Sequence, residues 1–183
     1  MTAGPADAAA ASPPPGVRLR PAVGGDLEQM AAAELALFPG EAWSPAQLAE
    51  EISHPSRRYV VALVEPPSTP GPPALVPAAP VLIGYAGIML AGDTADLHTI
   101  GTLRPGQGIG RALLAWCEEQ ARAGGAQRML LEVREDNRRA RAVYARAGYE
   151  EIGVRRGYYR IGTRSIDAIL MRRELRGPAP ASA

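Results

Sequence analysis

The run His98-Thr99-Ile100-Gly101-Thr102-Leu103-Arg104-Pro105-Gly106-Gln107-Gly108-Ile109-Gly110-Arg111-Ala112-Leu113-Leu114 limits what this chain can fold into more than any other feature. It reads as a buried strand that enters a glycine-rich turn and opens a helix. Such a turn lines up unpaired backbone N–H groups at the positive end of a helix, a ready site for a phosphate or pyrophosphate. Glycine is needed there because a Cβ would hold the anion away from the backbone. A glycine turn alone is weakly specific, since many strand-to-helix turns bind nothing. Its weight comes from the segments that follow it: Leu130-Leu131-Glu132-Val133-Arg134-Glu135-Asp136-Asn137, then Ala140-Arg141-Ala142-Val143-Tyr144, then Gly148-Tyr149.

Apolar periodicity organises the rest into alternating strands and helices. Strands are predicted over 17–21, 58–65, 81–90, 96–102, 129–134, 149–156 and 166–174. Helices are predicted over 26–38, 45–53, 108–123 and 137–147. Ser44 and Pro45 supply an N-cap and a first-turn proline for the second helix. In the third, Ile109, Leu113, Trp116/Cys117 and Gln120/Ala121 trace one stripe at helical spacing. The order β-α-α-β-β-β-α-β-α-β-β implies an α/β fold, a mixed central sheet with helices on both faces. Residues 66–80 carry seven prolines and read as an insertion too long for a tight hairpin. The Ala/Pro-rich ends, 1–16 and 176–183, read as disordered tails flanking one domain over 17–175.

A chain of 183 residues with 46% hydrophobic content can bury a sizeable single core. Its net charge of +1 provides no global field for nucleic acid or an anionic membrane. No apolar run approaches the ~20 residues of a membrane span, and the first 16 residues lack the basic start and apolar stretch of a secretory signal. A cytoplasmic enzyme is expected. The single cysteine, Cys117, cannot form an intrachain disulfide and sits on an apolar helix stripe, which suits a core residue better than a nucleophile. No His/Cys/carboxylate spacing suggests a metal.

Among titratable residues Glu132 is the most unusual. It interrupts Met-Leu-Leu-Glu-Val, whose continuous apolar character predicts a strand covered on both faces. A carboxylate there is costly unless it is paired or functional. Read from pattern alone, it is a structural ion pair with Arg134 or Arg128. Tyr144 lies seven residues after Asn137, nearly two helical turns, so the two share a face with Asn137 as the cap. By composition Tyr144 is a packing aromatic, His98 a satisfied half-buried histidine, and Arg138, Arg139 and Arg141 a solvated helix face.

These motifs together resemble the GNAT (Gcn5-related) acyltransferases over residues 17–175. The likeness rests on 98–114, on Leu131-Glu132-Val133-Arg134 with Asn137, and on Val143-Tyr144 with Gly148-Tyr149. Val154-Arg155-Arg156-Gly157-Tyr158-Tyr159 followed by Asp167-Ala168-Ile169-Leu170-Met171 extends it, as do Leu37-Phe38-Pro39, Trp43-Ser44 and Gly84-Tyr85-Ala86-Gly87 in the front half. Within the family the nearest branch acetylates the N-terminal alanine of a ribosomal protein. The resemblance implies the GNAT fold, acetyl-CoA as co-substrate, no metal, and direct transfer to a free α-amine in a ternary complex. It makes Glu132 the general base and Tyr144 the acid that assists the departing sulfur. It assigns Ile100, Gly101 and Thr102 to the pantetheine arm, and Gly106, Gln107, Gly108, Ile109, Gly110 and Arg111 to the pyrophosphate. Asn137 also contacts the cofactor in the family, and Phe38, Trp43, Tyr158 and Tyr159 stand where the acceptor is bordered; read from the residues alone, Phe38 and Trp43 equally fit anchors of the helix pair, and Tyr158 and Tyr159 edge aromatics. The implied partner is a protein N-terminus, such as that of a ribosomal protein, with no nucleic acid or membrane. The chain would be a monomer or weak homodimer.

A tyrosine near pKa ~10 is a weaker acid than a thiol near ~8.5, so full proton transfer to the sulfur is uphill by about 2 kcal/mol. Tyr144 is therefore expected to hydrogen-bond the developing thiolate more than to protonate it. One departure bears on the cofactor. The stretch from Ile100 to Gly108 is two residues shorter than the family's, which puts Pro105, without an N–H, where a glutamine or arginine donor belongs. The rival readings are a GNAT enzyme acting on lysine or a small amine, and a non-catalytic acyl-CoA-binding module. A nucleotide-binding protein fits poorly, because the turn lacks a P-loop lysine.

Overall fold

The computed structural model describes residues 12–40, 42–65 and 79–175. The expected tails beyond this range, and the insertion as far as residue 78, lie outside the described residues. The chain runs through β1 (Val17–Pro21), a single 3-10 turn (Gly24–Asp26), α1 (Leu27–Leu37), α2 (Pro45–Ser53), β2 (Arg57–Val64), β3 (Val81–Ala91), β4 (Thr94–Thr102), α3 (Ile109–Ala123), β5 (Arg128–Arg134), α4 (Arg138–Arg146), β6 (Glu150–Ile161) and β7 (Arg164–Glu174). The element order is the one expected from periodicity.

Local chemistry sets several boundaries. The Ser44 hydroxyl accepts the Gln47 N–H at 3.3 Å while the Gln47 side chain accepts the Ser44 N–H at 2.9 Å, a reciprocal cap that starts α2 at Pro45. Asp26 does not belong to α1 as expected. Its carboxylate takes two 2.7 Å bonds from Arg20 and one from the Val23 N–H, which fixes the 3-10 turn ahead of the helix.

The described strands form one sheet in the order β1-β2-β3-β4-β5-β7-β6. All neighbours are antiparallel except β4 and β5. Helices α3 and α4 cover one face, where Ile109, Leu113, Cys117 and Ala121 of α3 are buried with Ala95, Leu97, Leu131 and Val133 of the strands. Helices α1 and α2 cover the other through Met30, Ala33 and Leu48 against Val61, Leu63 and Tyr85. Burying a side chain the size of Leu113 stabilises by roughly 1.5–3 kcal/mol, so this stripe commits α3 to the sheet. Cys117 is the core residue expected, and burial pushes its thiol far up, away from any reactive form.

The sheet is not continuous. Parallel pairing of β4 with β5 covers only Thr94–Leu97 against Arg128–Leu131. At the same level β4 carries an extra residue, since Gly87 pairs with Thr99 but Ile88 with Leu97, leaving His98 as a bulge. Beyond Leu97 the two strands part. Among the described residues no helix is long and apolar enough to cross a membrane.

Candidate active site

The parting of β4 from β5 opens a cavity of about 1130 Å³ that reaches both faces of the sheet. Leu37, Phe38 and Trp43 border it from the α1–α2 side, Asn137, Ala140 and Tyr144 from α4, and Tyr158 and Tyr159 from β6. Because pairing with β5 stops at Leu97, the β5-facing backbone groups of His98–Thr102 have no strand opposite them. This is the geometry needed to pair with an extended arm of a ligand. Gly101 permits the close approach of α1 to this strand, since a Cβ there would sit 2.6 Å from Leu37 Cδ1. Ile100 points to the α3 side and packs on the main core. The Thr102 hydroxyl donates to the Ile83 carbonyl at 3.0 Å.

The turn that follows has a backbone that depends on glycine. Gly106 and Gly108 have φ of 89° and 81°, a conformation that other residues rarely adopt. Gly108 is the N-cap of α3 and no side chain caps it, so the first-turn N–H groups of Ile109, Gly110 and Arg111 are left for a ligand. A Cβ at Gly110 would meet nothing within 4 Å. The Arg139 guanidinium comes within 3.7 Å of the place a Gly106 Cβ would take, and that of Arg111 within 3.9 Å of the Gly108 equivalent. Arg139 is exposed, on the solvated face expected for it, and its guanidinium reaches the turn as a second cation. Arg141 instead pairs with Glu151 at 2.7 Å. Pro14, ahead of β1, borders the turn at Gly108. Gln107 is exposed. Asn137 caps α4 by accepting the Ala140 N–H at 3.1 Å, which leaves its amide N–H groups for other partners.

Glu132 departs from expectation in two ways. Burial along β5 alternates, and Glu132 lies on the half-open side that faces the cavity rather than in a strand covered on both faces. Its ion-pair partner is neither Arg134 nor Arg128. Arg134 pairs with Asp136 at 2.8 Å and Arg128 with Asp93 at 2.5 Å. Glu132 pairs with Arg155 of β6 at 2.5 Å. The Arg155 guanidinium also lies 4.2 Å from the centre of the Tyr158 ring. The Glu132 carboxylate beside it raises the pKa of the Tyr158 phenol.

Tyr158 and Tyr159 precede the last strand, β7, but lie inside β6, which runs on to Ile161 rather than ending at 156 as expected. Register there jumps from Arg155–Ala168 to Tyr159–Ile166. The jump is pinned where Gly157, at φ 64°, donates its N–H to Asp167 Oδ1 at 2.7 Å. It turns Arg155 and Tyr158 toward Glu132.

Tyr144 approaches from the opposite face. It is 7% exposed, its ring is 5.8 Å from that of Tyr149, and burial raises its phenol pKa well above the ordinary value. The phenol is thus a permanent hydrogen-bond donor at neutral pH. Glu132 and Tyr144 stand on the two sides of the gap between β4 and β5.

Phe38 and Trp43 both anchor the helix pair and line the cavity. Glu34, unforeseen from the sequence, holds this corner: Tyr85 donates to one carboxylate oxygen and the Trp43 N–H to the other at 3.2 Å. Its signal was an acidic residue four positions after buried Met30, on the helix's inward face. His98 is half-buried, with Nδ1 3.3 Å from Glu51 and its ring edge-on to Trp43, the satisfied histidine expected. Asp96, also unforeseen, lines the cavity beside it. Among the described residues no group of three or more His, Cys, Asp and Glu side chains is arranged to hold a metal.

Comparison with known proteins agrees with this architecture. The acetyltransferase (GNAT) family model matches residues 28–149. The chain is 36% identical over 161 residues to N-alpha-acetyltransferase RimI of Mycobacterium tuberculosis, spanning 84% of this chain and 90% of that protein. It is 40% identical over 65 residues to the [ribosomal protein bS18]-alanine N-acetyltransferase of Escherichia coli K12, where the match spans 36% of this chain and 44% of that enzyme. A crystal structure of the Escherichia coli ribosomal-protein-S18-alanine N-acetyltransferase superposes with a TM-score of 0.73 at 22% identity, covering 91% of this chain and 99% of that one. The chain belongs to the acetyltransferase (GNAT) family and is an acetyl-CoA-dependent N-acetyltransferase.

Proposed function

We propose that this enzyme acetylates a free protein α-amine, an N-terminal alanine of the ribosomal-protein type, by direct attack on acetyl-CoA in a ternary complex. The observation that carries the reading is the placement of Glu132 and Tyr144 on opposite sides of one opening. The named activities of the relatives support the acceptor class. The turn Gly106–Arg111 holds the pyrophosphate with Arg111 and Arg139. The free edge of β4 pairs with the pantetheine arm, and one of its N–H groups polarises the thioester carbonyl. The amine enters past Phe38, Trp43, Tyr158 and Tyr159. As its nitrogen attacks, Glu132 removes a proton. The C–S bond then breaks, and the Tyr144 phenol hydrogen-bonds the thiolate. No serine or cysteine lines the cavity among the described residues, which supports direct transfer over a covalent acyl-enzyme.

An α-amine with pKa ~7.7–8.0 is partly neutral at pH 7, whereas a lysine amine at ~10.4 is not. The apolar wall of Phe38 and Trp43 also favours a small first side chain. Incubation with acetyl-CoA and a peptide panel, with free thiol as the readout, tests both points. Peptides beginning with Ala or Ser should outperform those beginning with Leu or Phe, and N-terminally blocked lysine peptides should be poor acceptors. Equal rates on a blocked lysine peptide and a free Ala-terminal peptide would sink the N-terminal assignment.

A further inference from the structure

The Asp96 carboxylate is half-buried against the cavity, yet no hydrogen bond or ion pair reaches it from any described residue. Every other acidic group at the site has a partner: Glu132 has Arg155, Glu51 has Arg57, and Glu34 has Tyr85 and the Trp43 N–H. Taking a carboxylate from water without compensation is costly, so a lone one facing a binding cavity calls for a cationic ligand. Its position suits one. Asp96 is the register partner of Leu130, one pair before the ladder ends at Leu97–Leu131, and Glu132 follows Leu130 on the same face of β5. The two carboxylates thus flank the start of the opening, one from each strand, on the side where the acceptor enters. The other charged or titratable groups around them are His98 on β4, with Glu51 on α2 and Arg57 on β2 behind it. Arg155 and Tyr158 on β6 stand behind Glu132, and Glu34 on α1 is bonded to Tyr85 on β3.

We propose that Asp96 is the second carboxylate of the acceptor site, receiving the incoming ammonium and taking its first proton, while Glu132 takes the second. This rests on the reading of the cavity as an amine-acetylation site. An ammonium must lose two protons to become an amide. The first passes to Asp96, which frees the nitrogen lone pair to form the C–N bond and push the thioester electrons onto oxygen. As that oxyanion collapses, the C–S bond breaks with its electron pair on sulfur, and the nitrogen gives its second proton to Glu132. One proton then reaches the coenzyme A thiolate through solvent and the other leaves to bulk water, so each turnover from an ammonium releases one proton. Burial raises the Asp96 carboxyl pKa, His98 lowers it and Glu132 raises it again, for a net upward shift. The shift narrows the gap to an ammonium near ~7.7–8.0 and eases the transfer.

The test is D96N in the full chain, assayed with acetyl-CoA and a free Ala-terminal peptide. A charge-assisted contact to the ammonium predicts an acceptor KM raised about ten- to hundredfold, an unchanged acetyl-CoA KM, and partial recovery in D96E. The pH profile should change as well. Wild-type kcat/KM uses the ammonium form and rises through the carboxyl range, whereas D96N follows the neutral fraction of the free amine and rises toward about pH 8. Wild-type acceptor KM and pH profile in D96N overturn the proposal. So does a joint loss of acetyl-CoA affinity and thermal stability, which marks a structural role. Should the wild-type enzyme prefer a blocked lysine peptide or a small amine, the N-terminal reading fails, and D96N is compared on that amine instead.

Discussion

At Glu132 the carboxylate is engaged by Arg155 and Tyr158 from the same bulged strand. The Arg155 side chain is 53% exposed, and exposed pairs contribute little to stability. E132Q, nearly isosteric, should therefore leave the melting temperature close to wild type. Turnover should fall by about 10²–10⁴-fold with little change in acetyl-CoA KM, and the residual rate should recover as pH rises and hydroxide takes the proton that Glu132 no longer accepts. A variant that melts early yet keeps full specific activity would return Glu132 to a purely structural role. Tyr144 calls for a different profile. With its pKa raised by burial, it stays protonated through the working range and contributes no alkaline limb there. Y144F removes one hydrogen bond to a developing anion, so kcat should drop about ten- to hundredfold at constant acetyl-CoA KM. A Y144F enzyme with wild-type kcat would remove the phenol from the reaction.

At the scale of the element, the strand–turn–helix 98–114 was legible because its constraints are local. Positive φ demands glycine, an N-cap without a side chain leaves first-turn N–H groups open, and an apolar stripe calls for a surface to pack on. The same holds for Ser44, Pro45 and Gln47 at the start of α2. The β6 bulge was not legible. Its cause is Asp167 on β7 binding the Gly157 N–H, a contact between strands that no short window contains. The partner of Glu132 was misread for the same reason, since Arg155 is 23 residues away. Asp96 was passed over because an acid between Ala95 and Leu97 reads as the outward side of an alternating strand, and only the parting of β4 from β5 turns that side into a cavity wall. The turn also yields a clean test. Gly110 has open space around its absent Cβ, so G110V should fold normally and raise the KM for acetyl-CoA strongly by blocking the anion. P105Q should lower that KM by restoring a donor at the front of the short turn. Unchanged cofactor binding in G110V would place the pyrophosphate elsewhere.

For the molecule as a whole, the two cores share an unusual dependence on tyrosine. Tyr59 and Tyr85 are buried in the core beneath α1 and α2, and Tyr144 of α4 with Tyr149 in the core on the α3–α4 side. Burial is the first cause of a raised pKa at all four. Hydrogen bonds from Tyr59 to Glu51 and from Tyr85 to Glu34 add to it, because each would place a phenolate against a carboxylate. The sign of the linkage follows directly. A folded-state pKa above the unfolded value near ~10 means that above this pH the native state holds protons the unfolded chain has released. Stability is then complete below about pH 10 and falls as pH rises, by up to about 1.4 kcal/mol per pH unit for each tyrosine that stays protonated. With four of them spread over both faces of one sheet, the losses add within a single cooperative unit. The melting temperature should therefore hold nearly level to about pH 9 and then drop steeply above pH 10. Tyrosinate absorbance from these four residues should appear together with the loss of helical circular dichroism rather than before it. Y149F should soften the drop, since removing a hydroxyl whose pKa is raised chiefly by burial deletes a titrating group. A full tyrosinate signal from a chain that remains folded would show that these phenols ionise in place and that the cores are open to water.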